Sequence, residues 1–254
     1  MSLALQTSHL VKRFGGFVAT NDVSLDIAAG ARHALIGPNG AGKTTLINLL
    51  TGVLSPSSGV VRLNGQDITP LAQHRRVRRG LARTFQINRL FADMTALQAV
   101  VLAVCERRGL GGRFFRPVAA HREAVDEAAK ILERLHLLDV AHYRTGDLAY
   151  GKQRLLEIAL ALAAQPTVLL LDEPAAGVPT AESRGLFETI AQLPRDVTIL
   201  LIEHDMDLVF RFAERITVLV SGAVLAEGSP ADITADPRVR DVYLGENGHA
   251  GASG

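Results

Sequence analysis

The stretch HALIGPNGAGKTTLINLLTG, residues 33–52, admits few folds. HALIG (33–37) reads as a short buried strand that runs straight into a glycine-rich turn and then a helix, TTLINLLTG. GPNGAGKTT (37–45) fits the spacing G-x-x-x-x-G-K-[ST], and it lies where that spacing has physical meaning, between a strand and a helix. Glycines at 37, 40 and 42 let the backbone curl so that successive N–H groups point into one hollow, to which the helix adds its positive end. In that arrangement Lys43 reaches the β- and γ-phosphates of a nucleotide such as ATP, and the Thr44 hydroxyl ligates Mg²⁺. Gly37, Pro38, Asn39, Gly40, Ala41, Gly42 and Thr45 complete the expected phosphate contacts.

Two later strands give this loop partners. VLLLDEP (168–174) is an apolar run whose end delivers the Asp172 carboxylate to a sheet edge, where it orients Mg²⁺ or its water. Glu173 then stands beside the γ-phosphate, placed to take a proton from attacking water, an assistance worth roughly 10²–10⁴-fold in rate. Alone, an Asp-Glu pair at a strand end is equally compatible with a surface turn; the Lys-Thr loop upstream is what gives it chemistry. LLIEHD (200–205) puts His204 at the end of another buried strand. A lone histidine there is more often structural. Beside a phosphate site, a neutral imidazole that donates one hydrogen bond and accepts another suits holding water and phosphate together.

The remaining pattern alternates β and α, which predicts a mostly parallel sheet covered on both faces. Residues 3–12 and 22–28 alternate apolar and polar as half-buried strands do, and VVRLNG (60–65) and LARTFQ (81–86) read as two more. From about 88 to 145 helical patterns dominate, TALQAVVLAV and HREAVDEAAKILERLHLL, joined by a loop, GLGGRFFRP, that fits no packed element. This reads as a helical insertion in a single domain covering 1–247. After it come strand candidates TVLLLDE and VTILLIEH, each followed by a helix, then ITVLV and AVLAEG, a small helical end, and a Gly/Ala/Ser tail (248–254) expected to be disordered.

Composition removes several classes. A net charge of +1 gives no global attraction to nucleic acid or anionic lipid. HRRVRRG (74–80) is locally basic and reads as a solvated helix face, with a contact role as the alternative. The single cysteine, Cys105, excludes an internal disulfide framework and a multi-cysteine metal site, and its apolar run AVVLAVC makes it a buried thiol. No signal-peptide pattern opens the chain, and its greasiest region, LLEIALALAAQPTVLLL (155–171), is broken by Glu157, Gln165 and Pro166. The expectation is a cytosolic protein, or one peripheral to a membrane through a partner.

These parts in this order, with LAYGKQR (148–154) between the insertion and the Asp-Glu strand, resemble the ATP-binding cassette (ABC) ATPases over nearly the whole chain. The resemblance implies a P-loop core with an antiparallel N-terminal β portion and an inserted helical subdomain. It also implies a head-to-tail dimer with a second cassette subunit, identical or a sister, each ATP lying between the Lys43 loop of one and the signature loop of the other. Gln86 matches the glutamine that touches the metal and links core to insertion. Phe14, in KRFGG, matches the aromatic that stacks on adenine, with Phe17 as a second candidate. LAYGKQR is similar to the family signature, usually Leu-Ser-Gly-Gly-Gln: Leu148 and Gly151 agree, while Ala149, Tyr150 and Lys152 depart. Ala149 lacks the hydroxyl that bonds the γ-phosphate across the dimer, a bond to charge typically worth about 1.5–3 kcal/mol. What remains is the backbone N–H array at Gly151 and the positive end of a helix starting near Lys152, whose ammonium either adds charge there or is simply solvated. In EPAAGVPTAE (173–182) the family's frequent Asp or Asn falls on Pro179.

Within the family, RTFQINRLFADMT, LAYGKQRLLEIALAL, EPAAGVP, LIEHDMDLV and GAVLAEGSPADITADPRVRDVYLGE are similar to the larger ATPase subunit of branched-chain amino-acid importers. That likeness implies two membrane-spanning permease subunits, seated near Asn88–Met94, an extracytoplasmic solute-binding protein reached indirectly, no nucleic acid, and a place at the cytoplasmic face of the membrane. Its C-terminal YLGE is Tyr243 to Glu246 here. Related importers for urea, amides or other small solutes are the nearest alternative; exporters or lipid-extracting ATPases, a soluble ATPase acting on nucleic acid, and an ATP sensor without turnover are further ones.

Overall fold

The structure, a computed structural model, describes residues 2–84, 92–110 and 122–247, with side chains as far as Tyr243. Strands β1 (Leu3–Phe14) and β2 (Phe17–Ala28) form a long hairpin, after which β3 (Arg32–Ile36) leads to α1 (Lys43–Thr51). Then come β4 (Ser58–Leu63), β5 (Gln66–Asp67), α2 (Gln73–Arg78) and β6 (Leu81–Arg83). Helices α3 (Ala96–Arg107), α4 (Arg122–Arg134) and α5 (Tyr150–Leu162) lie between β6 and β7 (Val168–Asp172). The order ends with α6 (Thr180–Ala191), β8 (Thr198–Ile202), α7 (Met206–Phe212), β9 (Arg215–Val220), β10 (Ala223–Gly228), α8 (Pro230–Ala235) and α9 (Pro237–Asn247).

Two sheets result. One has the order β10-β9-β3-β8-β7-β6 and is parallel apart from its edge strand β10; the other, β2-β1-β4-β5, is antiparallel. The period of two along each central strand divides its side chains between two cores. Ala34 and Ile36 of β3, Leu169 and Leu171 of β7, and Ile199 and Leu201 of β8 face one core, which they share with α3 to α7. Leu35, Val168, Leu170, Leu200 and Ile202 face the other, packed on α1 and the antiparallel sheet. Burial on both faces is why these strands are continuous apolar runs in the sequence.

Several local expectations change. Asn64-Gly65, read above as the end of a strand, has φ of 49° and 77° and turns β4 back into β5; both central residues of such a tight hairpin need positive φ. β2 begins at Phe17, five residues before its alternation becomes visible, because register shifts in its pairing with β1 between Val23 and Val18 add residues to β2 and break the period. β6 ends at Arg83, although the Thr84 N–H still donates to the Leu170 carbonyl at 3.0 Å.

The basic run 74–80 is only partly a solvated face. Arg76 is 1% exposed, and its guanidinium donates to the carbonyls of Leu49 and Leu50 (both 2.7 Å), Leu71 (2.9 Å) and Thr69 (2.9 Å). It thereby caps the C-terminal end of α1, where helix carbonyls lack internal partners and the dipole favours a cation. Cys105 is buried and free. Among the described residues no helix is long and apolar enough to cross a membrane. Gln86, residues 88–91 and the tail 248–254 lie outside the described residues.

Candidate active site

Strands β3, β8 and β7 are neighbours, and their parallel register brings three segments to one sheet edge. Ile202 of β8 is flanked by Leu35 of β3 on one side and Asp172 of β7 on the other. The 37–45 loop, Asp172–Glu173 and Glu203–His204 therefore leave the sheet side by side at its carboxyl end, the usual place for a ligand crevice in such sheets.

The loop can take its shape only with glycine at two positions. A Cβ on Gly37 would lie 2.2 Å from the Leu219 carbonyl oxygen, and one on Gly42, at φ 97°, would lie 2.6 Å from that of Ala19. Gly42 is also the N-cap of α1 and, having no side chain, cannot cap the helix as Ser, Thr, Asp or Asn would. Lys43 Nζ donates to the carbonyls of Gly37 (2.5 Å) and Pro38 (3.0 Å), folded over the loop it follows. Asn39, Gly40 and Thr44 are exposed; Pro38 and Thr45 are half-buried, and Ala41 is buried with its carbonyl accepting from the Gly222 N–H at 2.9 Å.

Asp172 is half-buried and accepts from Arg83 Nη2 at 2.6 Å, while Arg83 Nη1 donates to Asn48 Oδ1 on α1 at 3.0 Å. Glu173 is exposed, with φ 47°, a left-handed conformation that costs a non-glycine residue about 1–3 kcal/mol. Its N–H donates to the Ile202 carbonyl at 2.9 Å, which holds it beside β8. His204 lies two residues past the end of β8; its Nδ1 is 3.9 Å from Glu173 Oε1 and 3.6 Å from Glu203 Oε2. Glu203 is 1% exposed and accepts from the N–H groups of Ala175 and His204, both at 3.1 Å. Burial pushes its pKa above the ordinary glutamate value.

The 148–154 segment begins α5 two residues before the expected start, because the Ala149 carbonyl already accepts from the Gln153 N–H at 3.0 Å. Leu148 is buried, with its carbonyl accepting from Gln153 Nε2 at 2.9 Å. Lys152 is paired with Asp139, an arrangement that neither of its expected states included. A Cβ on Gly151 would lie 2.7 Å from Glu182 Oε2, so this helix start is pressed onto the start of α6. Pro179 is the N-cap of α6, where its missing N–H costs nothing, and its carbonyl accepts from Glu182 and Ser183. Phe14 and Phe17 face each other across the β1–β2 turn, 48% and 66% exposed, with Lys12 Nζ 5.1 Å from the Phe14 ring centroid. Arg83, Glu203 and Arg154 were given no role by the sequence, and Tyr150 entered only as a departure from the signature; an arginine inside an apolar strand (LAR) was the signal available for Arg83.

The donors present suit a magnesium nucleotide. Thr44 and Asp172 offer oxygen, and no cluster of three or more His, Cys, Asp or Glu that could hold a metal exists among the described residues. Mg²⁺ bound through one or two protein oxygens and substrate phosphates needs no such cluster.

Residues 20–176 match the family described as ABC transporter, and residues 223–249 match that described as branched-chain amino acid ATP-binding cassette transporter. Over 249 residues the chain is 44% identical to the high-affinity branched-chain amino acid transport ATP-binding protein BraF of Pseudomonas aeruginosa, covering 95% of this chain and 98% of that one. It is 43% identical to the corresponding LivG protein of Escherichia coli K12, with the same coverage. Among solved structures, the ADP conformation of an ATP-binding cassette of an ABC transporter superposes with a TM-score of 0.86 at 33% identity, covering 96% of this chain and all of the other. A nucleotide-free ATP-binding cassette gives 0.83 at 33% identity, with 96% and 99% covered.

Proposed function

The chain belongs to the ABC transporter family, and from that premise we propose that it is the ATP-hydrolysing subunit of a membrane importer of branched-chain amino acids. The observation that carries the chemistry is the shared sheet edge from which the 37–45 loop, Asp172–Glu173 and His204 emerge. The match of residues 223–249 supports the narrower cargo.

In this reading the N–H groups of the loop and of α1 bind the β- and γ-phosphates, and Lys43 exchanges its carbonyl partners for phosphate oxygens. Mg²⁺, when bound, would neutralise charge on the phosphates; Thr44 and Asp172 would hold it, with Gln86 as a further ligand. Glu173 takes a proton from the attacking water, and His204, within reach of Glu173, orients water and γ-phosphate. Phe14, at the tip of its hairpin, stacks on the adenine.

Leu148 to Lys152 serve the nucleotide of a partner cassette in a head-to-tail dimer, through backbone N–H groups at the start of α5 rather than through a side-chain hydroxyl. The segment after Glu173, with Pro179 starting α6, faces the same partner. Residues 1–247 act as one cassette domain, with 88–145 as the inserted helical part that meets a permease subunit near Asn88–Met94. Two permease subunits hold the cassette pair at the cytoplasmic face of the membrane, and an extracytoplasmic binding protein delivers the solute.

The test is to tag the chain in its native cell, solubilise membranes gently and identify what copurifies. Two multi-span subunits and a cassette ATPase, with a binding protein that takes leucine, isoleucine or valine, support the reading. A binding protein selective for urea or amides moves the cargo, and recovery without any membrane subunit removes the transport role.

A further inference from the structure

Position 150, glycine in the usual form of the signature, is Tyr150 here, and its ring is built into a contact between two segments. Arg154, one turn along α5 and 6% exposed, donates through Nη2 to the Tyr150 hydroxyl at 2.7 Å and to the Ala176 carbonyl at 3.1 Å. Through Nη1 it donates to both oxygens of Glu157, at 3.1 and 2.9 Å. The guanidinium carbon also lies 4.9 Å from the Tyr150 ring centroid. On the other side the ring rests on Gly177: a Cβ there, at φ 77°, would be 3.1–3.3 Å from Tyr150 Cε1, Oη and Cζ. The Gly151–Glu182 approach adds a second point of contact between the same stretches.

Tyr150 is still 43% exposed, so core packing alone does not account for an aromatic ring here. A fork-shaped guanidinium that binds a hydroxyl, a carboxylate and a carbonyl fixes relative orientation better than a point charge does. With no hydroxyl at Ala149, the start of α5 presents an anion only with N–H groups, and their aim depends on how firmly the first turn is held.

We propose that Tyr150 and Arg154 are positioning residues that join the first turn of α5 and residues 176–182 into one rigid unit, so that both meet a partner subunit in a fixed relation. This rests on the dimer reading above. The unit continues toward His204, because the Ala175 N–H donates to the buried Glu203.

Hydrogen–deuterium exchange on the full chain tests the contact without ATP turnover. In Y150G, amides 154–158 of α5 and those of Ala176 and Val178 exchange faster together, by about fivefold, while those of α1 do not change. Y150F keeps the ring on Gly177 but loses the oxygen, and gives a smaller rise at both places. Exchange at 176–178 equal to the wild type in both variants overturns the proposal. Kinetics supply a readout that general loosening does not mimic: kcat falls about tenfold in Y150G, and ATP affinity of the isolated chain, set by its own Lys43 loop, is unchanged. A parallel loss of that affinity also overturns it. If the wild-type chain itself does not hydrolyse ATP, the functional reading fails, and exchange still decides whether the two segments are joined.

Discussion

The Arg83 guanidinium holds Asp172 at 2.6 Å, and the same side chain reaches Asn48 at 3.0 Å. A residue from β6 thus ties the carboxylate at the end of β7 to the helix that follows the glycine-rich loop. Side-chain exposures of 17% and 25% put the pair between a buried ion pair and a surface one. Removing Arg83 alone strands the carboxylate, so R83M should lose about 1–3 kcal/mol in urea unfolding. D172N in that background should cost little more, giving a coupling of at least about 1 kcal/mol in the double-mutant cycle. Additive losses would show that the pair contributes nothing.

Glu173 is predicted to separate binding from chemistry. E173Q keeps the shape of the side chain without its basicity, so ATP affinity is retained while turnover falls roughly 10²–10⁴-fold. Unchanged turnover in a single-turnover assay would remove the assigned role. E173G abolishes the same chemistry yet unfolds no more easily than the wild type, since glycine adopts φ 47° without the strain.

Two buried groups give stability opposite pH slopes. His33 is 1% exposed, with Nε2 2.8 Å from Thr217 Oγ1, and burial pushes its pKa down to about 4, with Glu227 opposing the shift and Arg215 reinforcing it. Below its ordinary value of 6.5 the unfolded chain takes up a proton that the native chain refuses, so stability falls as pH drops toward about 4 and then levels. A shift of that size corresponds to about 3 kcal/mol, and H33N should flatten this limb in urea titrations across the range. Glu203 acts in the other sense. With its folded pKa raised, its contribution is present in acid and lost as pH rises through the folded value. E203Q should therefore gain on the wild type toward neutral pH; parallel curves would mean that Glu203 does not titrate between the two states.

Arg76 is the strongest stability prediction. Four carbonyls lose a donor if its head group is removed, Leu49 alone keeping a long bond from the Gly52 N–H, and R76M should cost about 3–5 kcal/mol by thermal or urea unfolding. R76K retains charge without the fork and should recover less than half of that. A loss below 1 kcal/mol in R76M would return the 74–80 run to the solvated face expected from its composition.

What could be read beforehand follows from range. β3, β7 and β8 are runs of apolar residues because both faces of the sheet are covered, and the 37–45 spacing is local, so each was visible without knowledge of the fold. Arg83 and Asp172 are 89 residues apart, Arg154 and Ala176 are 22 apart, and Arg76 meets carbonyls 26 and 27 residues earlier. No periodicity announces such pairs. The Asn64-Gly65 turn was within reach, but an apolar prefix (VVRL) drew both residues into the strand. The start of α5 was misplaced by two residues because its N-cap, Ala149, carries none of the side chains that usually mark one.

The asymmetry of α1 has an evolutionary consequence. Its glycine-capped end is the one proposed to bind phosphate, and its far end, with Thr51, Gly52 and the docked Arg76, defines whether the helix stands. Gly37 and Gly42 are held to glycine by the Leu219 and Ala19 carbonyls, but a lineage can alter the exposed positions Asn39 and Thr44 without collapsing the helix behind them. Such a helix offers raw material for divergence: substitutions at those exposed positions are judged by selection on activity, and those at its anchored end by selection on folding.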